Sequence, residues 1–361
     1  MFRFIVALIF IASNFISAQN VKPKNIIILI GDGVGINYVG ASLLQDSNSP
    51  FKEFKSIGLS ITCSADKLIT DSAAGATAIA TGYLTNNKYV SVDPLGKPLY
   101  TIFELAKKRG LATGIVVTSS VAHATPGAFV AHTKDRNDQT EIASQMIDEK
   151  INVVIGGGLK YFLPKNLSGT RDDDKNLIDV LKSKNYNLPK NYVELNTLKE
   201  STKNIYALLE MDGLPESTKR NYSLGDLTNN ALKHLKRNSK GFVLMIEGSQ
   251  IDWAGHDHKS KELLTEMKDF VTAVKAALNF AKKNKNTLVL VTSDHETGGM
   301  SITNGNLDAT DLELSYNTGG HTPSPVGIFT FGPGESIFKG IMHINEIGQK
   351  LFYLLDPSFK F

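Results

Sequence analysis

Cysteine is nearly absent from this sequence, because Cys63 is the single cysteine among 361 residues. An intramolecular disulfide is therefore excluded. Cys63 lies in the mostly apolar run 57–65, and no histidine or metal-binding motif stands beside it. We expect a buried structural thiol at this position rather than a reactive one.

An excess of either charge sign is lacking as well. Lysine and arginine number 39 against 36 aspartates and glutamates, which gives a formal net charge of +3. Such a small and scattered excess argues against nucleic acid as a specific partner. Hydrophobic residues make up 42% of the chain and charged residues 21%, so the chain can bury a substantial core.

Long hydrophobic runs are missing beyond the N-terminus, so we expect no membrane span in the mature chain. The N-terminus itself has Arg3, an apolar stretch over 4–12, and the small residues Ser17 and Ala18. This pattern predicts a signal peptide over residues 1–18, and hence a secreted protein, either periplasmic or extracellular. The alternative is a buried N-terminal helix.

Short apolar runs rich in β-branched residues are continuous rather than alternating, which is typical of strands covered on both faces. They lie at 26–30, 115–117, 153–155, 242–246, 288–291 and 326–331. Helical patterns lie between several of them, at 101–109, 227–235 and 261–283. The alternation predicts an α/β fold with a doubly wound, mainly parallel central sheet and helices on both faces.

The chain shows no internal repeat and no low-complexity linker, so we expect a single domain over residues 19–361. Residues from about 160 to 225 are rich in Lys, Asn, Asp and Ser, and we interpret them as a surface insertion or a small subregion with some helix. A second short insertion is expected at about 301–320.

Acidic residues stand at the ends of three predicted strands. Asp32 and Glu247 directly follow their apolar runs with at most one residue between, and Asp294 with His295 follows a third run after two residues. Because ligands of open parallel sheets bind beyond the carboxyl ends of the strands, these groups should converge. Clustered carboxylates repel one another unless cations compensate, which indicates a metal site.

Histidines and a hydroxyl extend this set. Asp252 and His256 stand four residues apart and can share one ion if the segment is helical, and His321 adds an imidazole on a glycine-rich loop. Aspartate and neutral imidazole suit zinc, whereas Glu247 with the Thr125 hydroxyl suits magnesium. Taken singly, each such residue could equally be a surface or capping residue.

A candidate nucleophile precedes a run of small residues. Asp71 and Ser72 stand before residues 73–80, which we expect to form a closely packed helix. A serine at a helix start faces unpaired N–H groups that hold phosphate well, although either residue could simply be an N-cap. Arg136 has the planar fork that grips two phosphate oxygens, and we interpret the nearby His132 as structural.

Taken together, these motifs resemble the alkaline phosphatase family. The segments that carry the resemblance are TDSAAGATA around Ser72, HATP at 123–126, residues 247–256, SDHETGG at 293–299 and GGHT at 319–322. The resemblance runs from residue 25 to about residue 331. The short insertions make the sequence most similar to the compact bacterial enzymes from cold or marine habitats.

The resemblance implies hydrolysis of phosphate monoesters through a phosphoserine at Ser72, with Arg136 clamping the phosphate. It implies two zinc ions and one magnesium ion, and it suggests a homodimer. The ligands it implies are, for the first zinc, Asp32, Asp294 and His295; for the second, Asp252, His256 and His321; and for magnesium, Asp32, Thr125 and Glu247.

His123 and Trp253 stand at positions that vary within the family, where some bacterial relatives have an aspartate and a lysine. We expect both residues at the substrate site, with His123 able to contact the third metal. Trp253 cannot offer a positive charge to bound phosphate, so weaker product binding is predicted.

Three other functions compete with this one. A sulfatase would need proline and then arginine shortly after its nucleophile, yet Ser72 is followed by Ala73, Ala74 and Gly75, and a phosphodiesterase would be expected to lack the third-metal ligands. A non-catalytic metal- or phosphate-binding protein on the same fold is the remaining alternative.

Overall fold

The computed structural model describes residues 22–361, so the predicted signal peptide at 1–18 lies outside the described residues. The strands, in chain order, are β1 (Asn25–Gly31), β2 (Ser56–Ile61), β3 (Ala112–Ser120), β4 (Val153–Gly157), β5 (Ile205–Leu208), β6 (Phe242–Gly248), β7 (Thr287–Thr292), β8 (Glu296–Thr297), β9 (Ser301–Gly305), β10 (Leu312–Ser315), β11 (His321–Thr322), β12 (Val326–Phe331) and β13 (Gly340–His343). The helices are α1 (Ile36–Gln45), α2 (Ser72–Thr81), α3 (Ile102–Lys108), α4 (Ala124–Gly127), α5 (Gln139–Asp148), α6 (Leu177–Ser183), α7 (Tyr192–Thr197), α8 (Leu224–Leu235), α9 (Gln250–His256), α10 (Ser260–Lys283) and α11 (Ile344–Leu355).

A nine-stranded central sheet runs through the part of the chain that is described, in the order β13-β2-β12-β7-β1-β6-β3-β4-β5. Strand β12 is antiparallel to both of its neighbours, and all other pairs are parallel. The other eight strands therefore share one direction, and their carboxyl ends lie along one edge. The predicted doubly wound, mainly parallel sheet is confirmed.

Two apolar layers cover the sheet, one on each face. Ile26, Ile28 and Ile30 of β1 pack into one layer, and Ile27 and Leu29 pack into the other, as the two-residue period of a strand requires. Helices α2, α3, α5 and α11 contribute to the first layer, whereas α8, α9 and α10 contribute to the second. Burial on both faces explains why the predicted strands read as continuous apolar runs.

The helix boundaries follow local signals. Helix α3 begins with a capping box in which the Thr101 side chain accepts from the Glu104 N–H and the Glu104 side chain accepts from the Thr101 N–H. It ends before Gly110, whose φ of +75° suits a residue without Cβ. Among residues 22–361, no helix combines the length and apolar character that a bilayer span requires.

Two expectations need correction. Segment 160–225 is more than a surface insertion, because it supplies β5, the edge strand that pairs with β4. This strand is only four residues long and stands within a polar stretch of sequence, so its apolar pattern is weak. Cys63 is half-buried rather than buried, because it continues the alternation of β2, in which the even-numbered positions are buried and the odd-numbered positions face outward. Segment 301–320 contains the β9–β10 hairpin.

Candidate active site

Three groups of side chains that could hold a metal ion lie at the carboxyl edge of the sheet. In each group the candidate ligand atoms lie within 4.8 Å of one another. The groups are Asp32, Asp294 and His295; Asp252, His256 and His321; and Asp32, His123 and Glu247. Asp32 belongs to two groups because it leaves the sheet between the exits of β7 and β6, the two neighbours of β1.

The first group is completely buried. Asp32 directly follows β1, and Asp294 and His295 follow the neighbouring strand β7. The His295 Nε2 atom lies 3.5 Å from both Asp32 Oδ1 and Asp294 Oδ2. Within residues 22–361, both Asp32 oxygens and Asp294 Oδ2 lack a hydrogen-bond partner. Buried carboxylate oxygens without partners are costly, so this arrangement fits a bound cation.

The second group is more open and rests on α9. This helix places Asp252 and His256 one turn apart, as their spacing predicts, while His321 lies in β11. The Nδ1 atoms of His256 and His321 face the carbonyl oxygens of Gly319 and Thr70 at 2.6 Å and 2.9 Å. Because Nδ1 donates in both imidazoles, Nε2 is the atom of each that can bind a cation, and the two Nε2 atoms lie 3.1 Å apart.

The third group shares Asp32 with the first. Glu247 is the penultimate residue of β6, and Thr125 lies in α4. In the described part of the chain, Glu247 Oε1, Thr125 Oγ1 and His123 Nδ1 are buried without hydrogen-bond partners. These oxygens suit a hard cation, and His123 adds a nitrogen that the magnesium set implied by the resemblance does not contain.

Burial makes the metal-free carboxylates resist ionisation. Desolvation, followed by repulsion from neighbouring carboxylates, raises the pKa of Asp32 well above its usual value and that of Asp294 to about 8. Desolvation also raises the pKa of Glu247 to about 7. Cations in these sites would favour the charged forms, which is what a ligand set requires.

The pKa values of the histidines depend on their neighbours and on their burial. A hydrogen bond to Asp252 raises the pKa of His256 to about 9. Burial acts to raise the pKa of Asp252, but the hydrogen bond from His256 and the nearby imidazoles lower it overall. Burial lowers the pKa of His123 to about 4, so this imidazole is neutral and able to bind a metal.

Ser72 begins α2, a helix whose ten residues are all buried. Asp71 is the N-cap, since its side chain accepts from the Ala74 N–H, and Ser72 occupies the first helical position. The Ser72 Oγ atom lies 3.2 Å from His295 Nε2 and 3.4 Å from an Arg136 nitrogen. The Arg136 guanidinium also donates to Asp71 Oδ2 at 3.0 Å.

His123 and Trp253, the two positions expected to vary, lie next to each other. Trp253 is 38% exposed beside Asp252, and its ring lies edge-on to that of His123 at 6.3 Å between centroids. His132 lies on the same segment as Arg136, and its Nδ1 atom lies 2.7 Å from the Ser91 carbonyl oxygen. This contact agrees with the structural role expected for His132.

A family model described as "Alkaline phosphatase" matches residues 23–313, which is most of the chain. The chain belongs to the alkaline phosphatase family. It is thus an enzyme of the phosphoric monoester hydrolase class, and the predicted resemblance is confirmed. Alkaline phosphatase 3 of Bacillus subtilis is 41% identical over 427 aligned positions, covering 93% of this chain and 90% of the relative.

Solved structures of alkaline phosphatases share the fold. The enzyme from the Antarctic bacterium TAB5 superimposes with a TM-score of 0.85 at 36% identity, covering 92% of this chain and 98% of the relative. A variant of that enzyme, in which a histidine is replaced by aspartate, has magnesium bound in its M3 site. Metal binding is thus a property of close relatives.

Thr297 is a residue of this alkaline phosphatase site that the sequence reasoning missed. Its hydroxyl donates to Asp252 Oδ1 at 2.5 Å and lies 3.3 Å from His295 Nδ1, so it connects ligands of the first two groups. Ser119 is a second such residue, with its hydroxyl 3.4 Å from Glu247 Oε2. For Thr297 a signal was present, because it stands two residues after His295 in SDHETGG.

Proposed function

We propose that the chain hydrolyses phosphate monoesters to an alcohol and inorganic phosphate through a phosphoserine at Ser72, using two zinc ions and one magnesium ion. The observation that carries this proposal is the position of Ser72 Oγ, between His295 Nε2 and Arg136 at the start of a buried helix. A hydroxyl in this place faces a ligand group on one side and a cationic fork on the other.

The chain's own residues bind and orient the phosphate. Arg136 offers its fork to two phosphate oxygens, and Asp71 fixes the guanidinium in place. The amino end of α2 adds its positive dipole. Ser72 Oγ attacks phosphorus in line with the departing alcohol, and water later cleaves the phosphoserine from the vacated side, so two inversions give net retention.

The metals would be held by the residues already described. We propose Asp32, Asp294 and His295 for one zinc ion, Asp252, His256 and His321 for the other, and Asp32, Thr125 and Glu247 for magnesium. When bound, these ions supply Lewis-acid stabilisation for the attacking and leaving oxygens. The position of His123 in the third group leaves that site open to zinc as well.

We further propose that the mature protein begins near residue 19 and forms a single domain. It would be a secreted homodimer, periplasmic or extracellular, without specific nucleic-acid recognition. The N-terminal charge and apolar pattern supports secretion, and the near balance of charges argues against a polyanionic partner.

The test is hydrolysis of p-nitrophenyl phosphate at pH 7 to 10 by the purified chain, before and after chelation, with zinc and magnesium added back. We expect activity to disappear with chelator and to return with both metals. Ser72→Ala should lose at least about 10³-fold in kcat and should no longer form an acid-stable phosphoenzyme. Faster cleavage of diesters, or a metal-loaded chain without monoesterase activity, would overturn the proposal.

A further inference from the structure

The apolar side chains of Leu68 and Ile69 are exposed although they stand only four and three residues before Ser72. Leu68 is 73% exposed and Ile69 is 42% exposed. We call this pair the ledge. Isolated apolar side chains on a surface need no explanation, but a fixed pair beside a catalytic centre does.

The backbone that follows the ledge contacts the second ligand group. The carbonyl of Thr70, the next residue, lies 2.9 Å from the Nδ1 atom of His321. Asn87 holds both ends of this stretch, because its amide nitrogen donates to the Ile69 carbonyl at 3.0 Å and its side-chain oxygen accepts from the Asp71 N–H at 3.1 Å. The backbone from Ile69 to Asp71 is thus held in place, so a ligand that covers the ledge need not order this part of the chain first.

The departing alcohol must leave on the side of the second group. Ser72 Oγ lies against His295, whose side chain is completely buried, so the nucleophile approaches from the closed side. In-line displacement places the alcohol opposite the nucleophile. The second group is the open one, since the His256 side chain is 34% exposed and that of His321 is 14% exposed.

We propose that the ledge contacts the alcohol portion of the substrate and favours monoesters with apolar, aryl-type leaving groups. This inference rests on the proposed monoesterase function and adds a substrate class to it. An aromatic ring that covers part of the ledge removes apolar surface from water, whereas a small alkyl or polar alcohol does not reach it.

Competitive inhibition by two phosphonates tests the ledge without relying on turnover. In Leu68→Ser/Ile69→Ser, the inhibition constant of phenylphosphonate should rise roughly three- to tenfold, because its ring then covers less apolar surface. The constant of methylphosphonate should change less than about twofold, because that ligand binds only through its phosphonate group. Leu307→Ser, an exposed leucine at the β9–β10 turn, is the matched control and should change neither constant.

Equal losses for both inhibitors would show a general disturbance of the site, and no loss for either would show that the ledge is not contacted; each result overturns the inference. Leu68→Ser alone serves if the double variant does not fold. Failure of the wild-type chain to hydrolyse any monoester would instead overturn the proposed function, so the two failures are distinguishable.

Discussion

The hydroxyl of Thr297 contacts one residue of each of the first two ligand groups. Its contacts with Asp252 and His295 orient those side chains toward the ions that we propose they bind. Neither partner is free to rotate while the hydroxyl is present, since groups that hydrogen-bond to metal ligands orient them and tune their basicity. The residue therefore acts as a positioning residue rather than as a ligand.

Thr297→Val keeps the shape of the side chain and removes the hydroxyl. We expect metal affinity to fall by about 10- to 100-fold, as is typical when such a partner is removed. Activity titrated against free zinc should show the shift, with near wild-type activity regained at high zinc. Thr297→Ser retains the hydroxyl and should titrate like the wild type; a valine variant with an unchanged titration would contradict the positioning role.

Trp253 lies at the rim and brings no charge to the bound phosphate. Trp253→Lys places a cation there, so inorganic phosphate should inhibit more strongly, with an inhibition constant lowered by roughly threefold or more through Coulomb attraction. Phosphate inhibition of p-nitrophenyl phosphate hydrolysis measures this. Trp253→Met, without a charge, separates the effect of charge from loss of the indole, and unchanged inhibition in the lysine variant would count against the prediction.

The chemistry of individual residues was largely predictable from the sequence. Asp32, Glu247 and Asp294 could be found because each stands where a buried strand ends, a place with few reasons for a carboxylate. Thr297 could not be singled out in the same way, since threonine is common and its role depends on a contact with Asp252, 45 positions away.

At the scale of elements, helix α2 must approach the β7 exit closely. A Cβ at Gly75 would lie 2.8 Å from the Asp294 carbonyl oxygen and 3.0 Å from the Asp294 Cβ. Both distances are shorter than ordinary contacts, and a carbonyl oxygen of the backbone cannot easily move aside. The missing side chain thus brings Ser72 and the first ligand group together.

Gly75→Ala should push α2 away from Asp294. We expect a loss of about 1–3 kcal/mol in the free energy of unfolding, and kcat/KM reduced by roughly 10²-fold by the shifted nucleophile. Urea denaturation and steady-state kinetics measure the two effects.

Gly40→Ala in α1 is the control, because the nearest atom to its Cβ would be 4.0 Å away. It should leave activity unchanged and stabilise the chain by up to about 1 kcal/mol through helix propensity. If the two alanine variants behaved alike, close packing at Gly75 would not be the reason for its glycine.

The predicted strands were those buried on both faces. β2, β5 and β13 escaped prediction, and the physical reason is visible in β2, where buried and exposed residues alternate around Gly58. A strand that is exposed on one face buries too little apolar surface to give a continuous run. β13 has the same weakness, because only Met342 of its four residues is buried.

At the scale of the whole molecule, the buried carboxylates couple folding to pH and metal. Without cations, the pKa of Glu247 is about 7 and that of Asp294 about 8, against about 4 in an unfolded chain. Between these values the folded chain holds more protons than the unfolded chain. Its stability therefore falls as the pH rises through that window.

Chelation should accordingly lower the Tm more at about pH 8.5 than at about pH 6, because ions replace the protons that hold the cluster together. Scanning calorimetry with and without chelator measures the difference. Asp294→Asn removes one titrating carboxyl, so its metal-free form should depend less on pH. A chelated wild-type chain that is as stable at the higher pH would contradict the prediction.

Asp32 is shared by two ligand groups, and this sharing makes metal occupancy a joint property. An ion at one group alters the free energy with which the other group takes its ion, and the effect is equal in both directions. With the zinc and magnesium ions that we propose, the affinity for one ion would have a definite value only at a stated activity of the other. The metal content of the purified protein would then depend on the ratio of the two ions in its surroundings, and the sequence alone would not determine a fixed stoichiometry.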